Sequence, residues 1–426
     1  MASFSIPLTG LEADSTALNT IANDLSNMNT TAYKAQTTNF SDLFFQQIGN
    51  TGAGDPIQVG AGVQVASNST AYTQGTINST GNATDVALNG NGFFVVGNGQ
   101  GGYELTRAGD FTQNENGYLL TSAGLNVMGY PAVNGVVNTN AALTPINIPV
   151  GQVQVPQATS TFGMTTNLDA ASTTGTQFPA PVTIYDSLGE SHVVTVNYTQ
   201  TAPNTWSYSI ALPASDFSSG VSTPVTGTMT FDSNGNLTTV TPTGGAAETV
   251  GAAAGDVSSI PVAFSGLADV SSNLNMQWNL LGPGGTPTIT QVDTSSAVAA
   301  TTQNGYPSGQ YQSFAIGSDG TITVTYSNGQ KQSVGQVALA NVENLQGLEL
   351  LGDNNYATTL VSGTATVGVS GASGLATLQD GALESSNVNI SSEFSNLIIA
   401  QRAFEANAKS VTTFDTVTQD TINMVH

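Results

Sequence analysis

The sequence predicts an α+β protein: long terminal α-helices paired as a coiled-coil-like base, with two predominantly antiparallel β domains nested between them. Three observations carry this. Ala382 to His426 contains no Gly and no Pro, although an even spread of the chain's 47 Gly over 426 residues would put about five there; such a stretch suits a helix. The N-terminus shows a matching heptad pattern. Between the ends, apolar residues alternate with Ser and Thr at the period of half-buried strands.

The C-terminal heptads form two columns. One is Ile390, Leu397, Phe404, Val411, Thr418 and Val425; beside it stand Phe394, Gln401, Ala408, Asp415 and Ile422. The spacing is that of a coiled coil, imperfect but sustained. Glu405 precedes Lys409 by four, the favourable order for an ion pair on a helix. At the other end, Leu11, Leu18, Leu25 and Ala32 repeat by sevens, with Ile21 and Met28 in a second column that Asp14 interrupts. Pro7 precedes the repeat, where a proline suits a helix start. Neither Gly nor Pro occurs from Leu11 to Ile48.

Two amphipathic helices at opposite ends of the chain each need a partner. Covering both seams brings the ends together, within one chain or between copies. A buried Leu, Ile or Phe contributes roughly 1.5–3 kcal/mol, and a lone helix is marginal in water because nucleation is costly. A multi-chain bundle therefore gains most. Leu11, Leu18, Ile21, Leu25, Met28, Ile390, Phe394, Leu397, Phe404, Val411 and Ile422 are the expected self-assembly contacts. The ends are expected to be mobile in the monomer and to order on assembly.

Charge divides the chain in the same way. Of 28 acids and five bases, residues 1–50 hold four acids and one base, and residues 383–426 hold five acids and two bases. The acidic excess lies in the middle, which should face water. Nucleic-acid binding is not expected, because no basic patch exists to neutralise phosphates. The chain has no Cys, which removes disulfides and thiolate chemistry. No run of eighteen apolar residues suggests a membrane insertion, and no basic, apolar leader precedes Lys34.

The expected domains are the N-terminal helix (1–33), an extended arm or linker (34–74), the first part of a central β domain (75–150), an inserted outer β domain (151–299), the second part of the central domain (300–375), and a connector with the C-terminal helix (376–426). Gly90-Asn91-Gly92 between apolar runs reads as a hairpin turn and not a phosphate loop, because no helix pattern follows. Asn116-Gly117, Asn234-Gly235 and Asn328-Gly329 mark further hairpins. Val194, Val196 and Tyr198 share one strand face, as do Trp206, Tyr208, Ile210 and Leu212; Ile322, Val324 and Tyr326 alternate with Thr.

An enzyme fits poorly. The chain has only His192 and His426. His192 alternates with Val194 and Val196 as a strand residue, and no carboxylate pair stands out. Asp232-Ser233-Asn234-Gly235 has the start of a calcium loop but lacks its downstream Glu, so it reads as a tight turn. No catalytic, cofactor or metal site is expected.

Three sets of residues together resemble one family. Ile21-Ala22-Asn23-Asp24-Leu25-Ser26-Asn27, followed by Asn29-Thr30-Thr31-Ala32-Tyr33-Lys34, is similar to the N-terminal motif of the bacterial flagellar rod and hook axial proteins. Leu383-Glu384-Ser385-Ser386-Asn387-Val388 and Ile399 to Lys409 resemble their C-terminal motif. Arg107-Ala108-Gly109-Asp110-Phe111, with Gly117-Tyr118-Leu119 and Gly129-Tyr130, resembles their shared central domain. The hook branch matches best, because residues 151–299 supply an inserted domain that rod proteins generally lack. Two departures stand out. Ala32 replaces the family's usual Gly, which implies a more helical turn after the first helix, and the arm Gln46–Pro56 is longer than in short-armed hooks.

The resemblance implies a secreted subunit that polymerises with itself into a curved tube. That tube would be a flexible joint between rod and filament, enclosing an export channel. Implied partners are the rod, hook-cap and hook-filament junction proteins and the flagellar export apparatus; the implied location is the extracellular flagellum. The rival reading within the family is a distal rod protein forming a straight, rigid tube. A β-rich adhesin accounts for the middle but not for two matched end helices.

Overall fold

A computed structural model of the chain describes residues 5–50, 52, 55–269 and 271–424, apart from the side chain of Gln46. Val425, the last member of one heptad column, and His426 lie outside the described residues, as do residues 1–4 of the expected N-terminal segment. The chain divides into two compact units, one of residues 1–150, 313–325 and 331–426, the other of residues 151–312 and 326–330.

The first unit holds both helices, α1 (Ser5–Ser26) and α2 (Ile390–Met424). They pack side by side and antiparallel: Asn407 lies against Gly10 and donates to Asp14 Oδ2 at 2.8 Å, while Glu393 lies near Asp24. Neither helix fills its Gly- and Pro-free stretch, and α1 also starts before its own, taking in Pro7 and Gly10. Helix α2 starts at Ile390 and not at Ala382. Asn389 caps it, its Oδ1 accepting from Ser392 N at 3.2 Å, the role for which Asn is favoured at a helix start. Ala382–Glu384 is instead a strand paired with Ile77–Ser79.

Helix α1 stops at Ser26, short of the expected 33. Asn27 Nδ2 turns back to Asn23 O at 3.0 Å, and Ala32 then reverses the chain with φ +56°. The expectation of a more helical turn at Ala32 is thereby overturned: the residue takes the left-handed conformation a Gly would take. It is sealed from solvent, and its N–H donates to Glu384 O at 2.8 Å. Beyond it, the region expected as an extended arm or linker is built of paired strands. Gln36–Asp42 runs antiparallel to Val63–Thr70, and Phe45–Asn50 to Pro56–Gly60.

The sheet of this unit is built around Phe93–Gly97, which pairs with Tyr103–Thr106, Asn126–Val133 and Lys331–Asn341. Phe93 to Val96 are all buried, as an unbroken apolar run requires when both faces of a strand are covered. Tyr72, Phe93 and Tyr356 form an aromatic cluster with centroids 5.4–6.1 Å apart. The Gly90–Gly92 turn is not a hairpin: Val86–Asn89 pairs with Thr377–Asp380 and not with Phe93–Gly97. Asn116-Gly117 and Asn328-Gly329 do close hairpins.

The second unit is two sheets sharing one core. Six antiparallel strands run in sequence order from Gln177–Tyr185 through Ser191–Ala202, Thr205–Ala211, Val225–Phe231 and Leu237–Pro242 to Glu248–Thr249. The second sheet is mixed, with Thr161–Asp169 parallel to Leu274–Asn279 and Ile289–Val292 but antiparallel to Ala297–Gln303. The boundary expected at 299 falls inside this last strand. Trp278 of one sheet lies 5.6 Å from Tyr208 and 6.3 Å from Tyr198 of the other, ring centre to ring centre. Val194, Val196, Trp206, Ile210, Met229 and Phe231 fill the core beside them.

Candidate assembly surface and the buried cluster behind it

The helix pair is filled by small and polar residues. On α1 the buried positions are Pro7, Gly10, Ala13, Ala17, Thr20 and Asp24; from Gly10 onward they step by three and four, the heptad rhythm. On α2 the buried residue is Ala400. A Cβ on Gly10 would come within 2.7 Å of Asn407 Nδ2, so the backbones approach closely where side chains are small.

The larger apolar residues named from the heptad columns are not the ones buried in this seam, and Met28 lies past the end of α1. Leu11, Leu18, Ile21, Leu25, Leu397 and Val411 are half-buried; Met28, Ile390, Phe394, Phe404 and Ile422 are exposed. Phe394 keeps 52% of its surface and Ile399 67%. A groove of about 430 Å³ opens between α1, α2 and the strand Gln36–Asp42, lined by Ala17, Ile21, Phe40, Ile399 and Ala403 among others. The hairpin Phe45–Asn50/Pro56–Gly60 and the residue before it add a second apolar surface: Phe44 is 83% exposed, and Phe45, Ile48, Ile57 and Val59 are open to solvent.

Behind the helices lies a buried ionic cluster that joins the three stretches carrying the family resemblance. Glu384 Oε1 receives Lys34 Nζ at 2.6 Å and Gly75 N at 2.7 Å, and its Oε2 receives Arg107 Nε at 2.7 Å. Arg107 also donates to the carbonyls of Gly92 (2.9 Å) and Gly90 (2.7 Å), which explains the turn between them. Burial pushes the Lys34 ammonium below its usual pKa, against the pull of Glu384. Asn387 completes the joint: its Oδ1 accepts from Ala35 N at 2.8 Å, and its Nδ2 donates to Ala71 O at 2.7 Å and Thr73 O at 3.0 Å.

A second buried acid fixes the end of α1. Asp24 accepts from Tyr33 Oη (2.8 Å) and Gln36 N (2.9 Å). Burial raises its pKa above the ordinary value although both hydrogen bonds oppose that, and burial together with Asp24 raises the Tyr33 phenol. Heptad reasoning did not find these residues. The available signal was compositional: in a chain with only five basic residues, Lys34 and Arg107 both lie inside motif stretches.

In the second unit, His192 lies on a strand as expected, but not alone. Its Nδ1 is 2.9 Å from Asp216 Oδ2, and its Nε2 is 3.5 Å from Asp269 Oδ2 and 3.8 Å from Asp186 Oδ2. Burial lowers the imidazole pKa, but the hydrogen bond and charge of Asp216, with Asp186 and Asp269, outweigh it and raise the value overall. Asp232 forms a tight turn, its Oδ1 accepting from Asn234 N and Asn236 N at 2.8 Å. Among the described residues, no helix is long and apolar enough to cross a membrane.

Comparison with known proteins agrees with this architecture. Residues 157–306 match the family described as flagellar basal body protein FlaE D2 domain. Residues 87–167 match the flagellar hook protein FlgE/F/G D1 domain, and residues 379–424 the flagellar basal body rod FlgEFG protein C-terminal family. The chain is 33% identical to the flagellar hook protein FlgE of Salmonella typhimurium over 99% of this chain and 100% of that protein. It is 34% identical to that of Treponema pallidum, over 98% of each. Among solved structures, flagellar hook protein FlgE2 of Helicobacter pylori superimposes with a TM-score of 0.54 at 15% identity, covering 72% of this chain and all of that one. Identity of about one third over nearly the whole length places the chain in the flagellar hook protein FlgE family.

Proposed function

We propose that the chain is a structural subunit that polymerises with itself into the tubular bacterial flagellar hook, the flexible joint between rod and filament, and that its terminal helices make the inner contacts of the tube. One observation carries the assembly mechanism. When α1 and α2 have closed on each other through Gly10, Ala13, Ala17 and Ala400, the large apolar residues of α2 remain uncovered, among them Ile390, Phe394, Phe404 and Ile422. A lone soluble subunit gains nothing from this stripe; a neighbouring copy that covers it gains roughly 1.5–3 kcal/mol per side chain. Several such contacts offset the several kcal/mol lost on association, so assembly should be steeply concentration-dependent.

The segments 1–33 and 376–426 would form the inner-tube domain, 34–74 the arm, 75–150 with 313–375 the central domain apart from 326–330, and 151–312 the outer one. A polar Ser- and Thr-rich outer surface suits domains that slide as a tube bends. Rod, hook-cap and hook-filament junction proteins would meet the two ends of the polymer. Export through the flagellar channel would deliver the chain to the cell exterior, and a chain without Cys has no disulfide to undo on the way.

Electron micrographs of the purified protein at high concentration test this reading. Curved tubes are expected from the wild-type chain and none from Phe394→Ser/Phe404→Ser, whose monomer should keep the wild-type circular dichroism spectrum. Straight tubes would transfer the protein to a rod-like role. Tubes formed equally well by the double variant would remove α2 from the contact.

A further inference from the structure

We propose that the second unit contains a binding site for one divalent transition-metal ion of the Zn²⁺ type, held by His192 Nε2, Asp186 Oδ2 and Asp269 Oδ2. These three atoms lie within 4.8 Å of one another. Each is buried and none meets an ordinary donor or acceptor at hydrogen-bond geometry, although the Asp186 carboxyl and the Ser271 hydroxyl come within reach of the Asp269 carboxylate. His192 is 6% exposed and Asp186 fully sealed. Buried polar atoms are nearly always paired, and two carboxylate oxygens and an imidazole nitrogen converging on a point need a shared positive partner.

The distances select the kind of partner. At 3.5 and 3.8 Å, the gaps from Nε2 to the two carboxylate oxygens are too long for hydrogen bonds. Ligands bound at about 2.0–2.1 Å around tetrahedral zinc stand roughly 3.3–3.4 Å apart, and small shifts reach that. A proton on Nε2 would leave three carboxylates, Asp186, Asp216 and Asp269, around a single positive charge. A divalent cation balances two of them, which matters where charge is buried. The imidazole nitrogen favours a first-row transition ion over Ca²⁺ or Mg²⁺, which take oxygen ligands.

The surroundings hold the ligands in place. Asp216 Oδ2 sits 2.9 Å from His192 Nδ1; a proton on Nδ1 then leaves the Nε2 lone pair free, the carboxylate–histidine arrangement usual behind metal-bound imidazoles. Asp186 Oδ1 is occupied by the N–H groups of Leu188 (2.9 Å) and Glu190 (2.7 Å), which turns Oδ2 to the histidine. Asp269 Oδ1 accepts from Ser271 N at 3.1 Å. The loops are tied together: Ala268 N donates to Asp216 O at 2.9 Å, and Ser272 N to Ser187 Oγ at 3.0 Å. A bound ion would clamp the turn after Gln177–Tyr185, the strand Ser191–Ala202 and both loops. Nothing in this depends on polymerisation.

Calorimetric titration of the full-length monomer, stripped with EDTA, with ZnCl₂ tests the site. One ion per chain is expected, with affinity reduced tenfold or more in Asp269→Asn and in His192→Gln. Zinc X-ray absorption should show a single imidazole among oxygen ligands, and equal CaCl₂ or MgCl₂ should not compete. The partly open Asp269 makes its variant the safer of the two for folding, and the spectrum of the wild-type protein needs no variant. The only other histidine is His426, and there is no Cys, so an imidazole signal lost in Asp269→Asn belongs to this site. Absence of saturable binding would overturn the proposal and assign the space to water. Zinc held equally by Asp269→Asn would overturn it in favour of scattered surface carboxylates.

Discussion

Lys34 Nζ and Glu384 Oε1, 350 positions apart in the chain, stand 2.6 Å from each other with both side chains almost wholly sealed from solvent. With Arg107 on the other carboxylate oxygen, two cations share one anion. The cluster is a poor source of net stability, because desolvating the charges costs as much as their attraction returns. Its effect is on specificity: one carboxylate fixes where the outgoing and returning chains meet.

Removing that carboxylate should therefore be costly. Glu384→Gln leaves two buried cations without their counter-charge and is expected to destabilise the first unit by about 3–5 kcal/mol. Urea unfolding followed by far-UV circular dichroism should show the loss. Both tryptophans, Trp206 and Trp278, belong to the second unit, so the tryptophan fluorescence transition should stay where it is. An unchanged first-unit midpoint would mean the cluster is solvated in solution.

Ala32 supplies a second test. Its φ of +56° costs a residue with a Cβ about 1–2 kcal/mol relative to Gly, while Gly loses about 0.5–1 kcal/mol through its freer unfolded chain. Ala32→Gly is expected to stabilise the first unit by up to about 1 kcal/mol, and Ala32→Val to destabilise it by more. Thermal melts of the two variants should move in opposite directions.

The same residue shows where sequence reading stops. Periodicity found both helices, the alternating strands and the hairpins at Asn116, Asn234 and Asn328, because local side-chain chemistry decides them. It could not find the reversal at Ala32. Its N–H is held by the Glu384 carbonyl, a partner that only the fold brings to it. The ends of α1 and α2 were missed for a related reason. Absence of Gly and Pro permits a helix but does not require one, and Ala382–Glu384 finds a better partner in Ile77–Ser79. The heptads located the two helices, but Gly10, Ala13, Ala17 and Ala400, none of them among the large apolar residues named, close the helix pair. Small residues carry little weight in a hydrophobic count, although they let backbones approach. The carboxylates around His192 come from three separate segments that no spacing rule connects.

Gly10 and Asn407 offer a test of that close approach. In isolation, Gly→Ala within a helix gains about 1 kcal/mol. Here the new Cβ meets the Asn407 amide, which is engaged with Asp14. Gly10→Ala is expected to destabilise the wild-type protein yet stabilise an Asn407→Ala background, a coupling of at least about 0.5 kcal/mol in a double-mutant cycle. Equal effects in both backgrounds would mean the helices separate in solution.

Asp24 gives a pH signature. Its pKa is raised in the folded protein by burial from an ordinary 3.8, so the folded state binds the extra proton in the window just above that value. Protonation there stabilises, and the contribution fades as pH rises through the folded pKa. Other carboxylates titrate in the same range, so the useful quantity is wild type minus Asp24→Asn. That difference should shift in favour of wild type as the pH falls from 6 toward 4, measured by chemical unfolding at each pH. A difference independent of pH would mean Asp24 is solvated when ionised.

The exposed hairpin separates assembly from folding. Phe44, Phe45 and Ile48 are open to solvent in the subunit, and exposed apolar residues concentrated on one projection suggest a contact surface. Phe44→Ser/Ile48→Ser should leave the melting temperature of the monomer within about 1–2 °C of wild type, because exposed side chains contribute little to stability. If the hairpin seals against a neighbouring copy, the same variant should raise the critical concentration for tube formation about tenfold or more, since two lost apolar contacts remove roughly 3–6 kcal/mol at full burial. Sedimentation of tubes across a concentration series measures that threshold directly. An unchanged threshold would confine the subunit contact to α1, α2 and the groove beside them.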